Sequence, residues 1–210
     1  MTGEVVRLLG ISGSPRTAAT DYAVREALRY AKEKFGVETE YFSVADKTLN
    51  FCIHCDHCVR TRKGCVFTDD MEEVYGKLQW ADAYIIGSPV YQGNITGQLK
   101  TLLDRTRAIL AKDIAVFEGK VGAAIAIGGD RIGGQEPTLR TIHDFYVING
   151  VFSVGGGAFG ANLGATFWSK DRGAQGAEED ARGLKSLYRT VDHLVTVTQK
   201  LRPRVVNDKK

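Results

Sequence analysis

"VVRLLGISGSPRTAATD", residues 5–21, passes from a near-continuous apolar run into a loop rich in hydroxyls and then into a helix. The run ending at Ser12 mixes β-branched residues and leucine and is bounded by Gly-Ser-Pro, which suits a strand buried on both faces of a parallel sheet. After the loop, Tyr22, Val24, Ala27, Leu28, Ala31 and Phe35 recur at helical spacing, and Gly36 takes the place of a C-cap glycine. A buried strand handed directly to a helix is the repeating unit of an α/β fold.

The unit recurs along the chain. "VETEYFSV" (37–44) alternates as a second strand, and 71–81 is helical, with Asp69 and Asp70 suited to its N-terminal dipole. Strands at 83–88 and 121–129 alternate with helices at 97–110 and at 137–149, where Pro137 stands in the first turn. A short strand (150–156) and a long final helix (178–200) complete the pattern. Five alternations predict a flavodoxin-like three-layer α/β sandwich with right-handed crossovers and a five-stranded parallel sheet in the order 2-1-3-4-5. Residues 1–210 are expected to form one domain, with a cysteine-rich loop at 44–70 and a glycine-rich arm at 155–180. The arm carries Phe159, Phe167 and Trp168; it reads either as a flexible surface loop or as an arm packed on a neighbouring subunit or over a cofactor.

Hydrophobic residues at 43% and charged residues at 25% leave no case for a disordered or fibrous chain. No apolar run approaches the roughly 20 residues that cross a bilayer, and the N-terminus lacks the pattern of a secretion signal. No membrane association and a cytoplasmic location are therefore expected. A net charge of +3 with dispersed Lys and Arg lacks the footprint of a nucleic-acid binder. The locally basic C-terminus, "LRPRVVNDKK", reads as a solvated tail.

Ligands of such sheets bind outside the carboxyl ends of the strands, so the loops after strands one, three and four are the place to search. The first holds Ser12, Ser14, Pro15, Arg16, Thr17 and Thr20 just ahead of a helix N-terminus, where free N–H groups and the dipole favour an anion. It matches neither a Walker loop nor G-x-G-x-x-G. A phosphate monoester held by Ser12, Ser14, Arg16, Thr17 and Thr20 fits, as does an ordinary capped turn. The third loop, "IGGDRIGGQE" (127–136), has glycine pairs including Gly128 and Gly129 that permit close approach to a planar ligand.

In the second loop, "GSPVYQGNITGQLKTLLDRT" (87–106), the succession Gly-Ser-Pro-Val-Tyr, Gly-Asn and Leu-Lys-x-x-x-Asp-Arg-Thr resembles the NAD(P)H-dependent FMN reductases and multimeric flavodoxins. "SGSPR" in the first loop agrees with it in order and spacing. The resemblance implies FMN, with the turn at Pro89, Val90, Gly93 and Asn94 reaching the flavin pyrimidine edge and Tyr91 offering an aromatic face. One departure stands out. The family continues "SPR" with Gly-Asn-Thr, whereas this chain has Ala19, Thr20 and Asp21. Thr20 can replace the Asn, but a carboxylate at Asp21 suits a phosphate only if it points away.

All four cysteines, Cys52, Cys55, Cys58 and Cys65, fall in "NFCIHCDHCVRTRKGC" (50–65) as C-x2-C-x2-C-x6-C. Disulfides are a poor explanation in a reducing compartment. Zinc sites use two pairs separated by a longer span. Three cysteines at successive spacings of three let one loop wrap a cubane, with the fourth arriving from further along. With no following Pro and no second set, all four are expected on one [4Fe–4S] cluster, zinc remaining the alternative. His54 and His57 are expected to face solvent, and His143 and His193 to serve structure. Arg60, Arg62 and Lys63 either offset the cluster's charge, dock an acidic protein or form a solvated turn.

A four-cysteine loop within an FMN-reductase-like chain resembles the iron–sulfur flavoproteins of anaerobic archaea and bacteria. That resemblance implies FMN, one [4Fe–4S] cluster per chain and a homodimer or homotetramer in which one chain's cluster can serve its neighbour's flavin. The leading expectation is an oxidoreductase passing electrons from ferredoxin through the cluster to FMN and on to an acceptor. The alternatives are an NAD(P)H-dependent FMN or quinone reductase with a structural zinc site, and a redox-sensing cluster protein. No side chain is singled out as a general acid, base or nucleophile, because the chemistry belongs to the cofactors.

Overall fold

A computed structural model describes residues 5–201; the basic stretch from 202 onward lies outside the described residues. Strand β1 (Arg7–Ser12) pairs in parallel with β2 (Glu38–Ser43) on one side and with β3 (Ala83–Pro89) on the other, and β3 pairs with β4 (Val121–Gly128). The order β2-β1-β3-β4-β5 is the expected one. Every residue of β4 is buried, as are all but the first of β1 and the last of β3. Successive side chains of these strands enter opposite layers. Leu9, Ile11, Ile86 and Ala126 pack with Met71 of α3 (Met71–Trp80), Leu99 of α4 (Gly97–Arg105) and Tyr146 of α6 (Gln135–Ile148). Leu8, Ile85, Ala123 and Ile125 pack with Val24 and Leu28 of α1 (Ala19–Phe35) and with Val191 and Leu194 of α8 (Ala181–Leu201). Gly36 closes α1 in the left-handed conformation, φ 65°, its N–H donating to Lys32 O at 3.0 Å.

Gly122 on β4 has a packing reason to lack a side chain. A Cβ there would stand 2.6 Å from the ring of Tyr146, which is fully buried and donates its hydroxyl to Ala123 O at 2.9 Å. Gly122→Ala is expected to cost about 1–3 kcal/mol through displacement of that ring. Urea unfolding checks this, as a lower midpoint at unchanged m-value.

The fifth position of the sheet departs from expectation. The strand expected at 150–156 shrinks to β5 (Phe152–Ser153), which pairs with Val121–Gly122; after an excursion the chain returns as β6 (Ala165–Trp168) beside Ile125–Gly128. Two segments thus share one edge, making six strands rather than five. The exit and return pass too close to their neighbours for side chains. A Cβ on Gly155 would lie 2.2 Å from Asn162 O, and one on Gly164, at φ 133°, would lie 2.4 Å from Ala124 O. Part of the glycine-rich arm is sheet and helix: β6 buries Phe167, and α7 (Gly173–Glu178) packs on α1. Of the arm's three aromatics only Phe159, 95% exposed, faces solvent, while Trp168 is half-buried between the cations of Arg131 and Lys170.

Among the described residues no helix is long and apolar enough to cross a membrane. The helix expected over 97–110 is broken at Thr106, where α4 gives way to α5 (Arg107–Lys112). There the Thr106 N–H bonds back three residues to Leu103 O at 3.2 Å, and its hydroxyl donates to the same oxygen at 2.7 Å.

Candidate functional site

The loops leaving β1, β3 and β4 are laced together at the carboxyl edge of the sheet. Gly13 N–H donates to Gly87 O (2.7 Å), the Thr96 hydroxyl to Gly13 O (2.6 Å) and Val90 N–H to Ile127 O (2.8 Å). Thr96 also accepts from Leu99 N–H at 3.0 Å as the N-cap of α4, so one hydroxyl ties a helix start to the first loop. Between the loops lies a cavity of about 250 Å³. Of the expected residues, Ser14, Arg16, Thr20, Pro89, Val90, Tyr91 and Gly129 line it.

Ser12, Pro15, Thr17, Gly93, Asn94 and Gly128 are not among its lining residues. Ser12 is fully buried at the end of β1, and its hydroxyl has no hydrogen-bond partner. Gly128 backs on Gln135, whose amide nitrogen would lie 2.2 Å from a Cβ there. Gly93 (φ 77°) and Gln92 (φ 50°) form a two-residue reverse turn, with Tyr91 and Asn94 exchanging backbone bonds of 2.8 and 3.0 Å. The turn presents Tyr91, which is 40% exposed, at the cavity mouth.

The first turn of α1 lines the cavity through Ala18, Ala19 and Thr20, and no side chain caps that helix end. Its N–H groups and dipole suit an anion. Asp21 does not oppose one, because its carboxylate is bound by Arg25 Nε at 2.9 Å and by the Tyr41 hydroxyl. The arm adds Ser169, Asp171 and Gly173 to the lining. Sequence reasoning passed over these three, since only the pairing of β6 with β4 carries them there. The Ser169 N–H and hydroxyl both donate to Gly128 O, at 2.9 and 3.1 Å, fixing that approach.

The cysteine loop leaves the carboxyl end of β2, at the same edge. Its neck is clasped by side chains. Thr48 N–H donates to Asp70 Oδ2 at 2.7 Å, and Asn50 donates to Asp69 Oδ2 from both its N–H and its amide, each at 2.9 Å. From α4, Arg105 donates to both oxygens of Asp69 (2.9 and 3.1 Å) and to Asn50 O (2.6 Å). Both partners of this ion pair are buried, at 1% and 2% exposure. Burial works against the Asp69 charge, but the bonds from Arg105, Asn50 and Met71 outweigh it and hold the carboxyl well below the usual carboxylate range.

Within the loop, α2 (His57–Thr61) lies against α5, and Asp56 pairs with Arg107 at 2.6 Å. His54, Asp56, Arg62 and Gly64 all take positive φ, the reversals that fold a short loop back on itself. No disulfide forms: Cys52 is exposed, Cys55, Cys58 and Cys65 are half-buried, and Cys58 and Cys65 touch the core. Among the described residues no three His, Cys, Asp or Glu side chains converge on a point where they could hold one metal ion. The loop supplies a donor set of four free thiols in a clasped frame, together with a buried Arg105 Nε that lacks a hydrogen-bond partner. Both features fit an anionic, thiolate-bound group. His54 is exposed as expected; His143 bonds Ser153 and Leu163 O, and His193 bonds Gly155 O, so both have structural partners.

The profile of the NADPH-dependent FMN reductase family matches residues 6–166. An iron–sulfur flavoprotein of Methanocaldococcus jannaschii is 61% identical over 94% of this chain and 99% of its own length. One of Archaeoglobus fulgidus is 47% identical over 92% and 98%. A WrbA-like flavodoxin from Agrobacterium tumefaciens, 15% identical, superposes with a TM-score of 0.67 over 94% of this chain and 99% of that one, a likeness of fold.

Proposed function

We propose, from the premise that this chain belongs to the iron–sulfur flavoproteins of the NADPH-dependent FMN reductase family, that it moves electrons between a [4Fe–4S] cluster on Cys52, Cys55, Cys58 and Cys65 and FMN in the sheet-edge cavity. Flavin-based electron transfer is the chemistry of its class. The observation that carries the reading is the juxtaposition at one sheet edge of a three-loop cavity and a clasped loop holding every cysteine of the chain. When bound, FMN supplies one- and two-electron chemistry and the cluster one-electron chemistry.

The protein's part is binding and orientation. The uncapped first turn of α1, with Arg16 and Thr20, takes the FMN phosphate, and Ser14 lines the same end of the cavity. Tyr91 stands against the ring system, and the backbone of 89–94 and of 128–129 shapes its slot. Ser169 and Asp171 close the cavity from the arm and exclude water. Thr20→Val is expected to raise the Kd for FMN about tenfold, the loss of one hydrogen bond to a charged acceptor. Fluorescence titration of the flavin-free protein measures it, and an unchanged Kd removes the Thr20 hydroxyl from the site.

Ferredoxin is the donor we favour. Phe51, Ile53, Val59 and Val66 are exposed on the cysteine loop, and Arg60, Arg62 and Lys63 stand exposed among them, a surface suited to an acidic one-electron carrier. Exposed Val147, Ile148 and Phe152 offer apolar contacts for a homodimer or homotetramer. The test is iron, acid-labile sulfide and flavin analysis of anaerobically prepared protein. Iron and sulfide in equal amounts with FMN, bleached by reduced ferredoxin faster than by NADH, support the proposal. Zinc in place of iron, with rapid bleaching by NADH, supports a plain flavin reductase instead.

A further inference from the structure

Asp171 is the one carboxylate lining the sheet-edge cavity, and among the described residues it has no hydrogen bond or ion pair. The cations of its segment are engaged elsewhere: Arg172 pairs with Glu179, Lys170 Nζ stands 4.0 Å from the same Glu179 carboxylate, and Arg131 pairs with Asp180 at 2.5 Å. The Asp171 carboxylate lies against Gly129 instead, its Oδ1 2.7 Å from where a Cβ there would stand. The backbone is bent to put it there. Arg172 N–H donates to Ser169 O at 2.9 Å, closing a turn whose central residues, Lys170 and Asp171, both have φ 52°. Turns of this hand are dominated by Gly, Asn and Asp, so a lysine in one is out of place. Such conformations persist where the surroundings over-determine them, and they cluster at ligand clamps. Here Ser169 bonds Gly128 O twice, and Gly176 of α7 packs so closely on Ser169 O that a Cβ would stand 1.7 Å from it.

An ionised carboxylate can only accept hydrogen bonds. The donors that FMN offers are its ring N3–H and the hydroxyls of its ribityl chain; its phosphate, an anion, repels a second anion. Position decides between the donors. On one side of Asp171, Gly173 stands beside the uncapped start of α1, where a Cβ on it would lie 3.8 Å from the Ala18 Cβ. On the other, the carboxylate meets Gly129, at the slot for the ring. A group between the phosphate end and the ring faces the polyol. We propose that Asp171 binds the ribityl chain of FMN, its carboxylate accepting from the polyol hydroxyls, and thereby makes the cavity select a hydroxylated side chain over an alkyl one. This rests on the FMN reading of the cavity given above. A site built to bond a hydroxyl rejects an analogue that lacks it, because the bound analogue covers the acceptor and leaves it unpaired.

Fluorescence titration of the flavin-free full chain with two ligands tests it: FMN, and an analogue whose ribityl chain is replaced by a pentyl chain bearing the same phosphate. Asp171→Gly removes the carboxylate and suits the left-handed backbone. It is expected to raise the Kd for FMN about tenfold, the loss of a charge-assisted hydrogen bond, and to leave the Kd for the analogue within about twofold of the wild type. Because both ligands carry the phosphate, the comparison cancels any effect of the carboxylate on that charge. Asp171→Asn keeps the shape and an acceptor oxygen but not the charge, and is expected to raise the FMN Kd about threefold, since a neutral bond is roughly half as strong; it carries the same comparison should the glycine variant not fold. An FMN Kd that does not move overturns the proposal. So does an equal loss for both ligands, which would make Asp171 a wall of the cavity and not a partner of the polyol. A wild type that binds neither ligand removes the FMN reading itself, and that measurement is made first.

Discussion

Cys58→Ser is expected to retain FMN and lose the cluster. The wild type should carry matched iron and sulfide, whereas the variant should carry FMN alone, its affinity unchanged within about twofold. Reduction of its flavin by ferredoxin should fall by more than about a hundredfold, since changes to groups that only support a metal ligand already cost about 10–100-fold. A serine hydroxyl stays protonated near neutral pH and cannot replace a thiolate. Cys58 is the informative choice because it sits half-buried on α2 against the core, whereas Cys52 is exposed at the loop's start. The fold should tolerate the change, because sulfur and hydroxyl differ little in volume and no hydrogen bond of the frame runs through this side chain. Acid-labile sulfide, the broad absorption of the cluster and stopped-flow bleaching by reduced ferredoxin measure the three expectations. Full sulfide content in the variant would remove Cys58 from the donor set and, with it, the single four-cysteine site.

What the sequence disclosed and what it hid divide along the range of the forces involved. β1, β3 and β4 were legible because strands buried on both faces announce themselves as unbroken apolar runs. Gly36 was legible because a left-handed cap is a one-residue demand. The cysteine loop needed only its spacing. β6 was not legible: "ATFW" is too short to show a period, and it becomes a strand by pairing with residues 125–128, forty positions away in the chain. With it went Ser169, Asp171 and Gly173, which reach the cavity only through that pairing. α2 was hidden for a similar reason, because a five-residue helix cannot sustain itself and owes its form to α5 beneath it. Asp69 shows a subtler limit. Its place before α3 reads as a dipole residue, and it does accept from Met71 N–H at 3.2 Å, but its principal partner is Arg105, on another helix. The concern about Asp21 was resolved by Tyr41 and Arg25, one of which lies on the neighbouring strand.

That clasp leads to the second large effect. Asp69→Ala is expected to lower the stability of the cluster-free chain at pH 7 by about 3–5 kcal/mol, the usual consequence of removing one member of a buried pair. Three costs combine. Arg105 keeps a buried charge without a counter-ion, Asn50 loses an acceptor for its N–H and its amide, and Met71 N–H loses its partner at the start of α3. A loss of this size is a large share of the 5–15 kcal/mol typical of a domain, so the variant should unfold at much lower urea. The pH dependence separates the ion pair from simple loss of packing. The Asp69 carboxyl is held below its unfolded value of about 3.9. The stability it contributes is therefore fully present above that pH and fades as the pH falls through the folded value. Alanine cannot titrate, so the gap between wild type and variant should hold steady from pH 7 to about pH 5 and narrow below about pH 4. Urea midpoints at those pH values measure it. A gap below about 1 kcal/mol at pH 7, or one that stays constant into acid, would show that the neck of the cysteine loop is held by something other than this pair.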